Sequence, residues 1–122
     1  MKMTMRGLLL LLPLLAAVLP LQAAEKYPSK PIRLLVPFAP GGVVDTSTRI
    51  LSNKIAETKG WQFVVDNRPG ANGFIATGTT ARASADGYTL LAAHTGEMSV
   101  NPVLFKSMPY DVERDFTPII MV

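Results

Sequence analysis

The chain predicts an α/β fold, a parallel sheet built in the order β-α-β-α-β with helices on its faces. Two observations carry this prediction. Short, nearly continuous apolar runs end in glycine-bearing turns, and a helix-like pattern separates each run from the next. The connections are also short, which for alternating strands and helices means parallel strands joined by right-handed crossovers. No internal repeat is evident.

After the polar, proline-marked lead-in "EKYPSKP", the run "IRLLVPF", Ile32 to Phe38, is almost wholly apolar apart from Arg33. Such a run suits a strand buried on both faces, with Pro37 near its end. From Val43 the periodicity changes. Val43, Val44, Ser47, Ile50, Leu51 and Ile55 recur at three- and four-residue intervals, and Asp45, Arg49, Asn53, Lys54 and Glu57 fill the other face. This predicts an amphipathic helix with those apolar residues turned inward. Asp45 suits the positive end of its first turn, and Lys59-Gly60 closes it with a cation and a left-handed cap.

"WQFVVDN", Trp61 to Asn67, reads as the second strand, and "FIATGTTARASA" as a weaker helix with Phe74, Ile75, Ala81 and Ala85 inward. Asp86-Gly87 is a turn, and Tyr88 to Ala93 the third strand. Asn101-Pro102 and Met108-Pro109 limit the last quarter of the chain to short helical turns. Ile119 to Val122 reads as the start of a further strand.

At 122 residues there is room for one small domain. Residues 1–23 are expected to leave it. Lys2 and Arg6, the apolar run Leu8 to Leu21 and the small residues at Ala23 and Ala24 form a secretory signal peptide, cut after Ala23 or Ala24. Residues 24–122 remain. Pro13, Pro20 and the shortness of the run argue against a membrane span. The leader takes two of twelve basic residues, leaving ten against nine acidic ones and a net charge of +1. With no run of basic residues interleaved with aromatics, nucleic-acid binding has no support. The chain has no cysteine, which fits an exported protein of the bacterial periplasm.

Every strand of a parallel sheet ends at the same edge, where ligands bind. Three turns fall there: Ala39-Pro40-Gly41-Gly42, Pro69-Gly70-Ala71-Asn72-Gly73 and His94-Thr95-Gly96. Two of them open helices, whose first N–H groups have no helical partner and can hold an anion. Glycine removes the Cβ that would keep a ligand away. A glycine-rich corner also serves a tight turn with no ligand. Neither phosphate-loop pattern, G-x-G-x-x-G nor G-x-x-x-x-G-K-[ST], is present.

The segments "VPFAPGGVVDTSTR", "VVDNRPGANG", "DGYTLL" and "NPVLF…MPYDVERDFTPI", in this order and spacing, resemble the N-terminal part of the periplasmic receptors of tripartite tricarboxylate transporters, the Bug receptors. The resemblance covers essentially everything after the leader. It implies a two-lobed, hinge-closing binding protein of which this chain forms an incomplete first lobe, the second lobe being absent. It also implies capture of a small organic carboxylate. The loop Phe38, Ala39, Pro40, Gly41, Gly42 and the loop Gly70, Ala71, Asn72, Gly73 would grip one carboxylate. Asp45 matches an acidic position of the first helix, and His94, Thr95, Gly96 and Asn101 would lie nearby. Expected partners are that carboxylate and membrane transporter subunits, with the receptor itself a monomer. No cofactor, metal or catalytic residue is expected. Two other classes stay open: a nucleotide-dependent α/β enzyme, and a receptor that reports to a membrane signalling partner.

The remaining residues have plainer readings. His94 is the only histidine, without the neighbours a catalytic or metal site needs. Ser47 and Ser99 stand in no nucleophile motif. Arg68 reads as a brace for the turn before Pro69. Tyr88, Phe105, Tyr110 and Phe116 read as packing residues, and Trp61 as a cover for the sheet end. Asp111, Glu113 and Asp115 lack the spacing and glycine of a calcium loop.

Overall fold

The computed structural model describes residues 26–122, so the leader and its cleavage point lie outside the described residues. Three parallel strands form the sheet: β1 (Ile32–Val36), β2 (Phe63–Asn67) and β3 (Thr89–Leu91), in the order β2-β1-β3. The apolar run at β1 takes the centre, where both edges are paired. Leu35 stands opposite Asp66 on one side and Leu91 on the other. Ile32, Leu35 and Val36 are essentially without solvent contact. The strand stops at Val36, two residues earlier than expected, because Pro37 has no N–H to continue the ladder. Arg33, the charge in that run, pairs across the sheet with Asp66, to which its Nε donates at 2.9 Å. Arg68 also donates to Asp66, so it does brace the turn.

Helix α1 (Val43–Lys59) has the expected bounds, and Gly60 caps it in the left-handed conformation. Its inward face is rotated from the expectation: Val44 and Ile55 are half-buried as expected, and Arg49, Asn53, Lys54 and Glu57 are exposed, but the fully buried positions differ. The buried positions are Asp45, Thr48 and Ser52, while Val43, Ile50 and Leu51 are exposed among the described residues. The polar face can be buried because it satisfies itself: Thr48 Oγ1 donates to the carbonyl of Val44, and Ser52 Oγ to that of Arg49. Small side chains there also let the helix lie close on β2.

Helix α2 (Phe74–Ala81) ends four residues short of its expected end. Ala76, Thr77 and Gly78 form its inward face, whereas Ile75 and Ala85 are exposed. Gly78 lets Pro109 pack directly on the helix, where a Cβ would meet the proline ring at 3.2 Å. Two right-handed crossovers that reverse direction about β1 put α1 and α2 on opposite faces of the sheet.

Beyond β3 come a π-helical turn at Gly96–Val100 and the short helices α3 (Asn101–Leu104) and α4 (Val112–Asp115), as the prolines foretold. The ring of Phe74 meets Phe105 and Tyr110 edge to face, and Tyr110 meets Phe116, so this segment folds back onto α2. Tyr27 packs on Trp61 and Tyr88 at the opposite end of the sheet. Ile119 to Val122 do not form the expected strand. They have no pairing partner among the described residues and lie exposed, and a lone strand is not stable.

Candidate functional site

The order β2-β1-β3 makes the chain leave β1 in one direction and re-enter beyond it in the other. The turns after β1 and β3 therefore diverge and leave a crevice at the carboxyl edge. A cavity of about 480 Å³ lies there. Of the residues expected at the site, Phe38, Ala39, Gly70, Asn72, Gly73, His94, Gly96 and Asn101 line it. Pro40, Gly41, Gly42, Asp45, Ala71 and Thr95 do not. Phe38 and His94 meet edge to face across the crevice, with ring centroids 5.7 Å apart.

Gly41 and Gly42 are withheld from the cavity because their donors are already engaged. The N–H of Gly41 donates to Asp45 Oδ2 at 2.8 Å, and that of Gly42 to the carbonyl of Ala39 at 3.4 Å. The expected cradle on this pair is thus a self-satisfied corner. Asp45 is its anchor and is only 2% exposed. Arg49 Nε donates to both its oxygens at 3.0 Å, and Asn67 Nδ2 to Oδ1 at 2.9 Å. Asn67 Nδ2 also donates to the carbonyl of Phe38, and its Oδ1 accepts from Arg49. One carboxylate thereby fixes the turn, the helix start and the end of β2. A ligand would find no unpaired oxygen on it.

The second turn behaves differently. Gly70, Ala71, Asn72 and Gly73 all have positive φ, at 117°, 47°, 52° and 82°. For Ala71 this is strained, since its Cβ crowds the carbonyl in that region. Within the run the N–H of Gly73 turns back to the carbonyl of Gly70 at 3.0 Å. Among the described residues the N–H groups of Ala39, Gly70 and Asn72, all at the cavity, make no hydrogen bond. These are the open donors, not those of Gly41 and Gly42.

The third turn is closed by its own side chains. Gly96 N–H donates to His94 Nδ1 at 3.2 Å, which leaves Nε2 as the protonated nitrogen of the neutral ring. His94 N–H donates to Glu97 Oε2 at 2.9 Å. Asn101 is buried and donates from Nδ2 to the carbonyl of Asn72 and to Tyr110 Oη, which itself donates to the carbonyl of Glu97. Asn101 thus positions the second turn. Asn67, Arg49, Glu97 and Tyr110 are contributors that the sequence did not single out. Asn67 could have been suspected as the polar strand end that adjoins the second turn; Glu97 carried no such signal.

Two glycine-related substitutions should move stability in opposite directions. Ala71→Gly relieves the left-handed strain and should raise unfolding stability by about 1 kcal/mol. Gly73→Ala should lower it by more than about 2 kcal/mol, because its Cβ would press on Glu97, with Cγ at 2.6 Å, as well as strain the backbone. Urea denaturation of the three proteins checks both. The hydrogen bonds from Arg49, then Gly41 and Asn67, hold the Asp45 carboxyl at about 2, below its ordinary 3.8. Its stabilisation is therefore present above pH 4 and lost as the pH falls toward 2. The difference in Tm between the native chain and Asp45→Asn, followed by circular dichroism, should shrink across that interval.

The family described as "Tripartite tricarboxylate transporter family receptor" matches residues 47–122, more than half of the chain. The chain is 43% identical over 114 residues to a UPF0065 protein of Bordetella bronchiseptica, covering 93% of this chain and 34% of the relative. It is also 43% identical over 101 residues to Protein BugT of Bordetella pertussis, covering 82% and 31%. It therefore spans about a third of the length of these relatives. Among solved structures, Rpa4515 of Rhodopseudomonas palustris with adipate superposes with a TM-score of 0.73 at 38% identity, over 77% of this chain and 31% of that one. MatC of the same organism, with bound malate, gives a TM-score of 0.71 at 36% identity, over 75% and 31%. The sheet, the order of turns and these matches agree, and they set aside a nucleotide-dependent enzyme. The chain belongs to the receptor family of the tripartite tricarboxylate transporters, a family of periplasmic binding proteins and not of enzymes.

Proposed function

We propose that the protein captures a small organic carboxylate in the periplasm and delivers it, as a monomer, to the membrane subunits of a tripartite tricarboxylate-type transporter. Its leader, residues 1–23, would be removed near Ala23 or Ala24, and residues 24–122 would form part of lobe one. A second lobe would close over the crevice and share in choosing the ligand.

The observation that carries this reading is the set of unpaired N–H groups of Ala39, Gly70 and Asn72 on one cavity at the carboxyl edge. A carboxylate needs such donors, and backbone donors held by a rigid turn bind it with little ordering cost. Among the described residues no Lys or Arg lines the cavity. Recognition would therefore rest on hydrogen bonds and apolar contact with Phe38, Leu104 and Phe105, which suits short acids with a carbon chain. Relatives solved with adipate and with malate make such acids the natural first probes.

Adipate, malate and benzoate should be tested on the complete gene product by calorimetry and thermal unfolding. At least one is expected to bind saturably and, at a hundredfold excess over its Kd, to stabilise the fold by about 2.7 kcal/mol. Its methyl ester or amide should not. Ala39→Asp, at an exposed position on the rim, should weaken binding tenfold or more through like-charge repulsion. Equal binding of acid and ester, or an unchanged Kd in the variant, would contradict the reading.

A further inference from the structure

Carboxylate capture at Ala39, Gly70 and Asn72 makes no use of the most unusual group in the cavity. Glu97 is only 3% exposed and lines the same cavity. Its Oε2 accepts the N–H of His94, and its side chain lies flat against Gly73, where any Cβ would overlap it. Oε1 accepts no hydrogen bond among the described residues. Among the described residues no Lys or Arg lines the cavity to balance the charge.

Glu97 therefore presents to the cavity an oxygen with no protein partner, which a ligand donor or cation would complete. It is also held in place. Tyr110 Oη donates to the Glu97 carbonyl at 2.7 Å, and Asn101 ties that hydroxyl to the second turn. The cavity therefore offers two polarities: open N–H donors at Ala39, Gly70 and Asn72, and an incompletely paired acid packed against Gly73 of the second turn. A bare dicarboxylate meets only repulsion at the second. An acid that also bears an ammonium group satisfies both, and one with a hydroxyl satisfies the second by a hydrogen bond without neutralising its charge.

We propose that Glu97 is a specificity-determining residue that makes this receptor select ammonium-bearing acids over unsubstituted acids of the same skeleton. The proposal rests on the carboxylate reading above and narrows its substrate class.

The test uses two matched sets on the complete gene product by isothermal titration at pH 7. They are succinate, malate and aspartate, and propionate, lactate and alanine, with both enantiomers of each chiral acid. In at least one set the ammonium-bearing acid should bind tenfold or more tighter than the unsubstituted one, with the hydroxy acid between. Glu97→Gln should bring that ratio within threefold by weakening the ammonium-bearing acid. Where circular dichroism shows that Gln disturbs the fold, the smaller Glu97→Thr should give the same collapse. A preference below threefold in the native protein, or one that survives loss of the charge, overturns the role of Glu97 and leaves carboxylate capture standing. Failure of all these acids and of adipate and benzoate to bind overturns both.

Discussion

The buried carboxylate of Asp45 is the constraint on which the carboxyl edge of this sheet depends. It lies in the first turn of α1, where the helix dipole favours a negative charge. From there it accepts from Gly41 in the preceding turn, from Arg49 one turn later and from Asn67 at the end of β2. Asn67 extends the network to the Phe38 carbonyl. Three segments along the chain, the turn after β1, the start of α1 and the end of β2, are thereby held by groups that satisfy one another, which is the condition for a buried polar network to rigidify a fold. The corner at Gly41-Gly42 is part of that network, and for this reason it has no donors left for a ligand.

A second network does the same for the turn after β2. Asn101, Tyr110 and Glu97 form a chain of hydrogen bonds that ends on the Asn72 carbonyl, and Gly73 is pressed against the Glu97 side chain. The strained φ values at Ala71 and Asn72 persist because this packing over-determines them. The two networks thus fix the turns after β1 and β2, whose residues Phe38, Ala39, Gly70, Asn72 and Gly73 line the cavity. Between them they leave a few backbone donors free and set them in rigid turns, so that ordering the site on binding costs little.

Much of this was legible in the sequence. The alternation of apolar runs and helix-like segments predicted the element order, and Lys59-Gly60 placed the end of α1 to the residue. The glycine-rich turns pointed to the edge at which the cavity lies. The inward face of α1 was only partly legible: Val44 and Ile55 are half-buried, but the hydrophobic pattern also marks Val43, Ile50 and Leu51 while the fold buries Thr48 and Ser52, whose hydroxyls bond within the helix. Nor could the pattern tell which N–H groups stay open. That depends on side chains such as Asp45, which reaches back into the turn, and on contacts such as that of Gly73 with Glu97, which no local periodicity reports.

The most direct test of the Asp45 network is amide hydrogen exchange at neutral pH on the native protein and on Asp45→Ala. The account predicts that the Gly41 amide, protected in the native protein, exchanges rapidly in the variant, while amides in the middle of α1 and in β1 keep their protection. Unchanged protection at Gly41 would show that the turn is held by something other than Asp45 and would contradict the account.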